Sequence, residues 1–317
     1  MSSRLHFKSV HYEGQTGGPR VIILGAVHGN ETCGTKAILR VMAQLDSGAL
    51  CLAAGSLTLV PVANPLAYAL GKRDGERNLN RSLFPKDHPL NFEDRIANWL
   101  CPLLAQHEVL LDLHSFAASS EAFVMVGPRD NRGPLEPFAR EAQERAWARR
   151  LGVRRFVDGW LPTHAEGVQR RTPSGGDSAA MIDYGMGTTE YLRSRGGYAL
   201  TLECGQHDAP GAPELAYGAI VNTLAFLGMI AAAAAAPVAA ADMEAISMVA
   251  VHDKMGAHDV FSRNWVSFER VQKGDEIGKR ADGSPVRAEF DGRILFPDPM
   301  AAPGHEWYYL AKTNPSF

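Results

Sequence analysis

Five short apolar runs, separated by segments of helical periodicity, constrain the fold of this 317-residue chain most strongly. The runs are residues 20–24, 56–61, 108–113, 122–126 and 198–203. Runs of this length are typical of strands in a sheet that is covered on both faces. Helical candidates lie between them at 35–45, 92–106, 134–151, 178–184 and 188–195. This alternation predicts an α/β sandwich with a mixed, mainly parallel sheet, which binds ligands at the carboxyl ends of its strands.

An uncharged, alanine-rich segment covers residues 219–241 and by its length alone could span a membrane. Alanine is only weakly apolar, however, polar residues interrupt the run at Asn222 and Thr223, and Pro237 breaks its end. We therefore expect no membrane span, but a buried helix over 212–235 followed by a linker.

The pattern of residues changes after this linker. Residues 249–317 hold short strand-like pieces separated by Gly and Asp turns, without a long helical period. The sequence therefore predicts two domains, a larger α/β domain over 1–240 and a small β-rich domain over 241–317.

The overall composition is that of an ordinary globular protein, with 45% hydrophobic and 21% charged residues. A net charge of -3 and scattered basic residues argue against a nucleic-acid surface. The four cysteines match no metal or redox spacing, and the amino terminus lacks an apolar signal segment. We expect four free thiols and a cytoplasmic location; a homo-oligomer is compatible with the sequence.

Two histidines and a glutamate stand at the ends of predicted strands. His28 and Glu31 lie in the run GAVHGNETCG directly after an apolar run, and His114 ends another. Two imidazoles and one carboxylate are the donor set of an open zinc site, in which water takes the fourth position. Each half of this signal is weak alone, because a lone histidine is more often structural. The placement of both halves at strand ends favours a metallohydrolase.

Two neighbours of this set bear on the metal hypothesis. Asp112 precedes His114 by two positions, so both side chains point to the same side of a strand. An aspartate there can orient a metal-bound imidazole through its second ring nitrogen. Cys204 is a rival metal ligand that the sequence favours less.

Three further polar clusters are candidates for substrate contacts. The loop 71–81 is rich in arginine, whose guanidinium clamps carboxylates or stabilises an oxyanion, although such a run is often just an exposed loop. Glu203 follows a strongly apolar strand, where a carboxylate is either paired or a catalytic base. The Gly-rich loop 170–177 lines a pocket or merely connects two elements.

The motifs GAVHGNE, RDGERNLNR, LLDLHS and TLECG span about residues 21–205. In this order and at these intervals they resemble the succinylglutamate desuccinylase/aspartoacylase family of the zinc carboxypeptidase superfamily. The C-terminal run GHEWYYLAKT is similar to the terminal tyrosine segment of that family. The resemblance implies a zinc-carboxypeptidase-like α/β/α sandwich whose cleft is capped by the small C-terminal β-rich domain.

The resemblance also implies the roles of individual residues. His28, Glu31 and His114 would bind one zinc ion per chain. Glu203 would be the general base, and Arg73 would stabilise the developing oxyanion.

Further residues match positions that contact the substrate in this family. Asn80 and Arg81 match the pair that holds the α-carboxylate, and Arg193 matches a position that holds a second acidic group. Tyr309, or its neighbour Tyr308, matches a substrate-contacting tyrosine of the C-terminal domain.

Two details of the resemblance concern Asp112 and a divergent stretch. Asp112 matches the residue that orients the first zinc histidine. Residues 169–187, rich in Gly and Ser, follow no family pattern, which leaves the specificity for the acyl group open.

These observations predict a zinc-dependent amidohydrolase that removes the acyl group from an N-acyl amino acid, an acidic one such as N-succinylglutamate or N-acetylaspartate. Its partner would be this small molecule, with neither nucleic acid nor membrane involved. One alternative is a metallocarboxypeptidase that acts on peptides or cell-wall fragments and needs an open cleft. Another is a metal-stabilised binding protein without turnover, which would need no general base.

Overall fold

The computed structural model describes residues 5–117, 120–171 and 183–317. The chain divides into two compact units. The first unit comprises Met1–Ala117, Glu121–Phe156 and Met186–Met243, and the second comprises Ala118–Ser120, Val157–Gly185 and Glu244–Phe317.

The first unit is built on a mixed sheet. Its strands are β1 (Val10–Glu13), β2 (Thr16–Gly25), β3 (Ala54–Val60), β4 (Val109–Phe116), β5 (Phe123–Met125) and β7 (Tyr198–Gln206). Their order in the sheet is β1-β3-β2-β4-β7-β5. The central strands β3, β2, β4 and β7 are parallel, whereas the outer strands β1 and β5 are antiparallel to their neighbours. The carboxyl ends of β2, β4 and β7 therefore meet at one edge.

Helices cover the sheet of the first unit. They are α1 (Cys33–Asp46), α2 (Pro65–Leu70), α3 (Phe92–Leu104), α4 (Glu141–Ala148), α6 (Thr188–Ser194) and α7 (Ala212–Phe226). The helices α1 and α7 pack together, and α3 packs on α6, which lies against β4 and β7. A core cluster joins Ile22 and Leu110 of the sheet to Ile96 and Leu100 of α3. The result is the predicted α/β sandwich.

The second unit is mainly β. It contains α5 (Trp160–Arg171) and the strands β8 (Glu244–Asp253), β9 (Val260–Phe261), β10 (Arg270–Val271), β11 (Glu276–Lys279), β12 (Pro285–Arg287), β13 (Gly292–Leu295) and β14 (Glu306–Thr313). An antiparallel sheet runs in the order β8-β14-β13-β10, and a second in the order β12-β11-β9. Trp265, Ile277, Ile294, Trp307 and Leu310 form its core. The strand β6 (Arg155–Asp158) spans the boundary between the units, and a short 3-10 helix covers Ala240–Asp242.

The helix predicted at 212–235 ends much earlier, at Phe226. Gly228 takes a left-handed conformation (φ 69°), and the next N–H, that of Met229, bonds back to the carbonyl of Leu224 at 2.8 Å. This turn satisfies a backbone carbonyl in the last turn of the helix. The helix therefore ends before the alanines that follow. Among the described residues, every helix is too short or too polar to cross a membrane.

Two other helix predictions have different outcomes, one corrected and one not tested. The helix predicted at 134–151 begins only at Glu141, because Asn131 and Phe138 pair through both backbone groups and hold the preceding segment in a loop. The helix predicted at 178–184 falls mostly on residues 172–182, which lie outside the described residues, as does most of the stretch 169–187.

Candidate metal centre and active site

The three predicted metal ligands come together at the carboxyl edge of the sheet. His28 Nδ1 lies 2.9 Å from Glu31 Oε1, and His114 Nδ1 lies 2.9 Å from Glu31 Oε2. All three residues are buried, and one ligand atom from each lies within 4.8 Å of the others. Both imidazoles therefore present Nδ1 to the same carboxylate, although they come from separate segments of the chain.

The other nitrogen of each imidazole faces a fixed oxygen. His28 Nε2 is 3.1 Å from Asn78 Oδ1, and His114 Nε2 is 2.9 Å from Asp112 Oδ2. The hydroxyl of Thr188 donates to the same Asp112 oxygen. Such partners fix the tautomer and orientation of a metal-binding imidazole.

In the described part of the chain, the imidazole that Asp112 contacts is thus that of His114, whereas the resemblance implied His28, the first zinc histidine. The reason is local, because positions 112 and 114 share one face of β4, as the strand alternation indicated. Asn78 takes the corresponding place at His28. Asn78 was not among the predicted site residues, and only its position in the loop 71–81 pointed to it.

The loop that carries His28 and Glu31 is tightly constrained. Ala26 adopts a left-handed conformation (φ 47°), which is costly for a residue with a Cβ and is found at functional sites. A Cβ on Gly29 would lie 1.9 Å from the carbonyl carbon of Ala67 in α2, so only glycine fits there. The helix α1 begins two positions after Glu31, which holds the carboxylate at the amino end of a helix.

Burial and mutual charge set the ionisation of this cluster. Burial raises the pKa of Glu31, but the neighbouring His28 and His114 outweigh it and hold that pKa well below its usual range. Burial lowers the pKa of His114, yet Asp112 and Glu31 raise it well above its usual value. Burial lowers the pKa of His28. Glu31 is therefore a carboxylate, the form that binds a cation.

The residues present fit a zinc ion. Within the described residues, the buried Nδ1 of His28 has no hydrogen-bond partner of acceptable geometry, as expected of an atom that binds a metal. Nitrogen and carboxylate oxygen are donors that zinc accepts, and three protein ligands leave a position for water. Cys204 is not part of the group, and all four cysteines are free thiols.

Glu203 lies next to this cluster. On the parallel strands β4 and β7, it is the register partner of His114, so both side chains leave the sheet on the same face. Burial, followed by the charge of Glu31, raises the pKa of Glu203 to about 8. Its Oε2 is buried and has no hydrogen-bond partner in the described part of the chain. A carboxyl group in this setting can exchange a proton near neutral pH.

Arg73 also reaches the cluster. Its Nη1 donates to Glu31 Oε1 at 3.0 Å, while half of its side chain is exposed (51%). The loop that carries it is anchored by buried Glu93 of α3, which accepts the N–H groups of Glu76 and Arg77 at 3.2 Å each. The arginine is therefore held at the edge of the site with its guanidinium open to solvent.

Asn80 and Arg81 lie in the same loop and are partly buried. Asn80 Oδ1 accepts the N–H of Thr188 at 2.9 Å, and Arg81 Nη1 donates to the Asn80 carbonyl at 2.7 Å. Arg77 Nη1 donates to the Arg81 carbonyl at 2.6 Å. The backbone around the pair is thus fixed by neighbouring side chains of the same loop and by the start of α6.

Arg193 occupies a different environment. Its side chain is 3% exposed, and it contacts Glu136 at 3.0 Å, Glu144 at 3.2 Å and Glu190 at 3.6 Å. It also donates to the carbonyl of Ala199 at 2.7 Å. These groups satisfy the guanidinium internally, so its assignment to substrate binding stays a prediction that would require this network to open.

The two candidate tyrosines lie in the second unit, on opposite faces of β14 (Glu306–Thr313). Tyr309 is buried (5% exposed), with ring neighbours Trp160 and Phe296. Tyr308 is fully buried and stacks on His252 with ring centroids 4.6 Å apart. Both tyrosines pack within their own unit, and a substrate contact for either remains a prediction.

A cavity of about 640 Å³ opens in the first unit beside the metal-ligand loop. Asn30, Cys33, Lys36, Tyr68 and His207 are among the residues that line it. His207 was not among the predicted site residues, although it lies two positions after the end of the TLECG motif.

Comparison with known families agrees with the motif pattern. Residues 17–154 match the model of the succinylglutamate desuccinylase/aspartoacylase catalytic domain. This part of the chain is therefore similar to the catalytic domain of that family. The predicted resemblance is therefore confirmed. A search of curated proteins finds no match.

Solved structures with names from this deacylase family share the fold. One is a succinylglutamate desuccinylase/aspartoacylase from Rhodobacter sphaeroides, with a TM-score of 0.71, 20% identity and coverage of 97% of this chain and 90% of that one. Another is a succinylglutamate desuccinylase from Vibrio parahaemolyticus, with a TM-score of 0.68, 16% identity and coverage of 98% and 93%.

The ectoine utilization protein EutE (DoeB) from Ruegeria pomeroyi, in a product-bound structure, is also similar. Its TM-score is 0.69, the identity is 19%, and the match covers 96% of this chain and 88% of that one. At these identities the likeness establishes the α/β fold with additional antiparallel strands, and confirms the predicted fold class.

Proposed function

We propose that this protein is a zinc-dependent amidohydrolase that removes the acyl group from an N-acyl amino acid, an acidic one of the N-succinylglutamate or N-acetylaspartate type. One observation carries the proposal. The buried group His28, Glu31 and His114 has an ionisable carboxyl, Glu203, in register beside it on the next strand. A site that only binds a metal needs no such group.

The metal ligands would be His28 Nδ1, His114 Nδ1 and the Glu31 carboxylate, with one zinc ion per chain. When bound, zinc supplies Lewis acidity, which lowers the pKa of a coordinated water and polarises the scissile carbonyl. Glu203 takes a proton from the attacking water on its carboxylate and passes it to the leaving nitrogen. Asn78 and Asp112 keep the two imidazoles in the orientation in which Nδ1 faces the Glu31 carboxylate.

Arginines of the loop 71–81 would divide substrate binding between them. Arg73 has a half-exposed guanidinium beside Glu31, where it can stabilise the negative charge that develops on the carbonyl oxygen. Arg81, with Asn80, would hold the α-carboxylate of the substrate, since a guanidinium fork matches a carboxylate.

We further propose the domain division 1–240 and 241–317, with the β-rich domain capping the cleft so that small substrates enter and polypeptides do not. Tyr309 would then contact the substrate from that domain. Location in the cytoplasm and assembly into a homo-oligomer remain predictions.

The proposal is tested with purified protein and a panel of N-succinyl, N-acetyl and N-formyl amino acids. Chelation of zinc should abolish hydrolysis, and zinc should restore it. Glu203→Gln keeps the shape of the side chain but removes the proton acceptor, so kcat should fall by roughly 10²–10⁴-fold while zinc stays bound. Glu214→Gln, an exposed carboxylate paired with Arg40, is the matched control and should leave kcat unchanged.

Full activity in metal-free protein would overturn the proposal. A fall of less than tenfold in Glu203→Gln with zinc retained would mean that another residue is the base. Cleavage of peptides in preference to every N-acyl amino acid would support the metallocarboxypeptidase alternative.

A further inference from the structure

His207 stands at the end of β7 and bonds to both segments that carry the proposed metal ligands. Its Nδ1 lies 2.9 Å from Ser115 Oγ, and its Nε2 lies 3.3 Å from Asn30 Nδ2. Because the Asn30 amide nitrogen is a donor, Nε2 accepts and Nδ1 donates to the serine hydroxyl. Both ring nitrogens are therefore used.

The two partners of His207 are direct neighbours of metal ligands. Asn30 precedes Glu31 in the loop that also carries His28. Ser115 follows His114 on β4, and its own N–H donates to Glu31 Oε2 at 3.0 Å. A displacement of either segment would change the distance between the nitrogen and oxygen atoms that meet at Glu31.

His207 also ties these segments to the strand of the proposed base. It follows Glu203 closely on the same chain segment, and its N–H bonds to the carbonyl of Phe116 at the end of β4. One side chain thus connects the ligand loop and the end of β4 to the end of β7. Sequence order alone does not bring the three segments together.

We propose that His207 is a positioning residue that fixes the spacing of the zinc ligands by clamping Asn30 to Ser115. This inference rests on the proposed function, since it concerns the same metal site. Within the described residues, its hydrogen bonds go to Asn30, Ser115 and Phe116 and not to a proposed ligand, so it acts through the two segments. Its place in the cavity wall gives it a partly exposed face, but its two ring nitrogens are directed at Ser115 and Asn30.

The test is the zinc dissociation constant of the full-length apoprotein, measured by competition with a chelator of known affinity. His207→Ala removes both bonds and should weaken zinc binding by roughly 10–100-fold, the usual effect of losing a group that orients a metal ligand. His207→Gln offers one donor and one acceptor and should recover part of the affinity. Ser115→Ala removes one of the two bonds and keeps the backbone N–H, and should weaken binding to a smaller extent.

His107→Ala is the matched control. This histidine also uses both ring nitrogens, on Thr58 Oγ1 and the carbonyl of Leu103 at 2.8 Å each, but it precedes β4 at the opposite end of that strand from His114. Its loss should lower the melting temperature and leave zinc affinity within about twofold. That contrast separates positioning of the metal from general stability.

The same zinc affinity in His207→Ala as in His107→Ala would overturn the inference, as would unchanged affinity in both His207→Gln and Ser115→Ala if His207→Ala does not fold. A rise in KM with unchanged zinc affinity and kcat would identify His207 as a substrate contact and also overturn it. If the unaltered protein binds no zinc, the proposed function itself fails, and this inference with it.

Discussion

The buried network around Arg193 yields a prediction that separates two roles for this residue. Its guanidinium contacts Glu136, Glu144 and Glu190 and is 3% exposed. In Arg193→Met the volume is largely kept, but the positive charge that compensates three carboxylates is lost. Removing one partner of a buried ion pair typically costs about 3–5 kcal/mol, because the remaining charge stays buried.

This loss is large enough to measure by thermal unfolding. With an unfolding entropy of about 2.1 cal/mol/K per residue, a loss of about 4 kcal/mol lowers the melting temperature by roughly 5–10 °C. The matched control is Arg195→Met, because Arg195 is exposed on the turn after the same helix and lies over the ring of Tyr191. Its melting temperature should change by no more than about 2 °C, as is usual for surface substitutions.

Steady-state kinetics complete the test. If Arg193 acts through the network alone, Arg193→Met assayed below its melting temperature should keep the KM of the unaltered protein for dicarboxylic substrates. An unchanged melting temperature together with a KM raised tenfold or more would refute this reasoning. It would restore Arg193 as the residue that holds a second acidic group of the substrate.

The same geometry supports three further predictions. Burial raises the pKa of Glu136 from 4.5 to about 7 against the opposing effect of Arg193; the folded state therefore holds the extra proton, and stability should fall as the pH rises from about 4.5 through about 7. In Glu136→Gln, the free energy of unfolding measured with urea should no longer fall between these pH values. If it still falls as in the unaltered protein, other groups cause the pH dependence. Arg81→Ala should mainly raise KM and abolish the preference for a free α-carboxylate over its amide, whereas Arg73→Ala should mainly lower kcat; the reverse pattern would exchange their roles. Gly29→Ala places a Cβ 1.9 Å from a backbone carbon and should lower the free energy of unfolding by roughly 1–3 kcal/mol in denaturant. An unchanged free energy of unfolding would mean that the loop carrying His28 and Glu31 is not packed tightly at Gly29.

The positions of the candidate ligands were predictable because they depend on local pattern. His28 and His114 each follow an apolar run, and the carboxyl ends of parallel strands share one edge of a sheet. The alternation of β4 likewise placed Asp112 beside His114. The orientation of His28 by Asn78 was not predictable, since it depends on how the loop 71–81 packs against the loop that carries His28 and Glu31.

Helix ends and the partners of buried charges were less predictable, because the sequence pattern around them also fits other structures. In the sequence, the helix that ends at Phe226 looks continuous with the alanines that follow it, because alanine favours helix. The turn that ends it depends on a single left-handed residue, Gly228. Judged from the sequence alone, Arg193 resembles a residue that binds the substrate. Its carboxylate partners Glu136 and Glu144 are distant in sequence and approach it only in the folded unit.

The sequence by itself determined the fold class, the metal-ligand candidates and the family resemblance, because hydrophobic periodicity and motif order are properties of the chain. The tertiary structure alone decided which nitrogen of each histidine faces Glu31, which oxygen holds the other nitrogen, and how His207 joins Asn30 to Ser115. These contacts join segments far apart along the chain. Their distances follow from the packing of helices and strands, which no local pattern encodes.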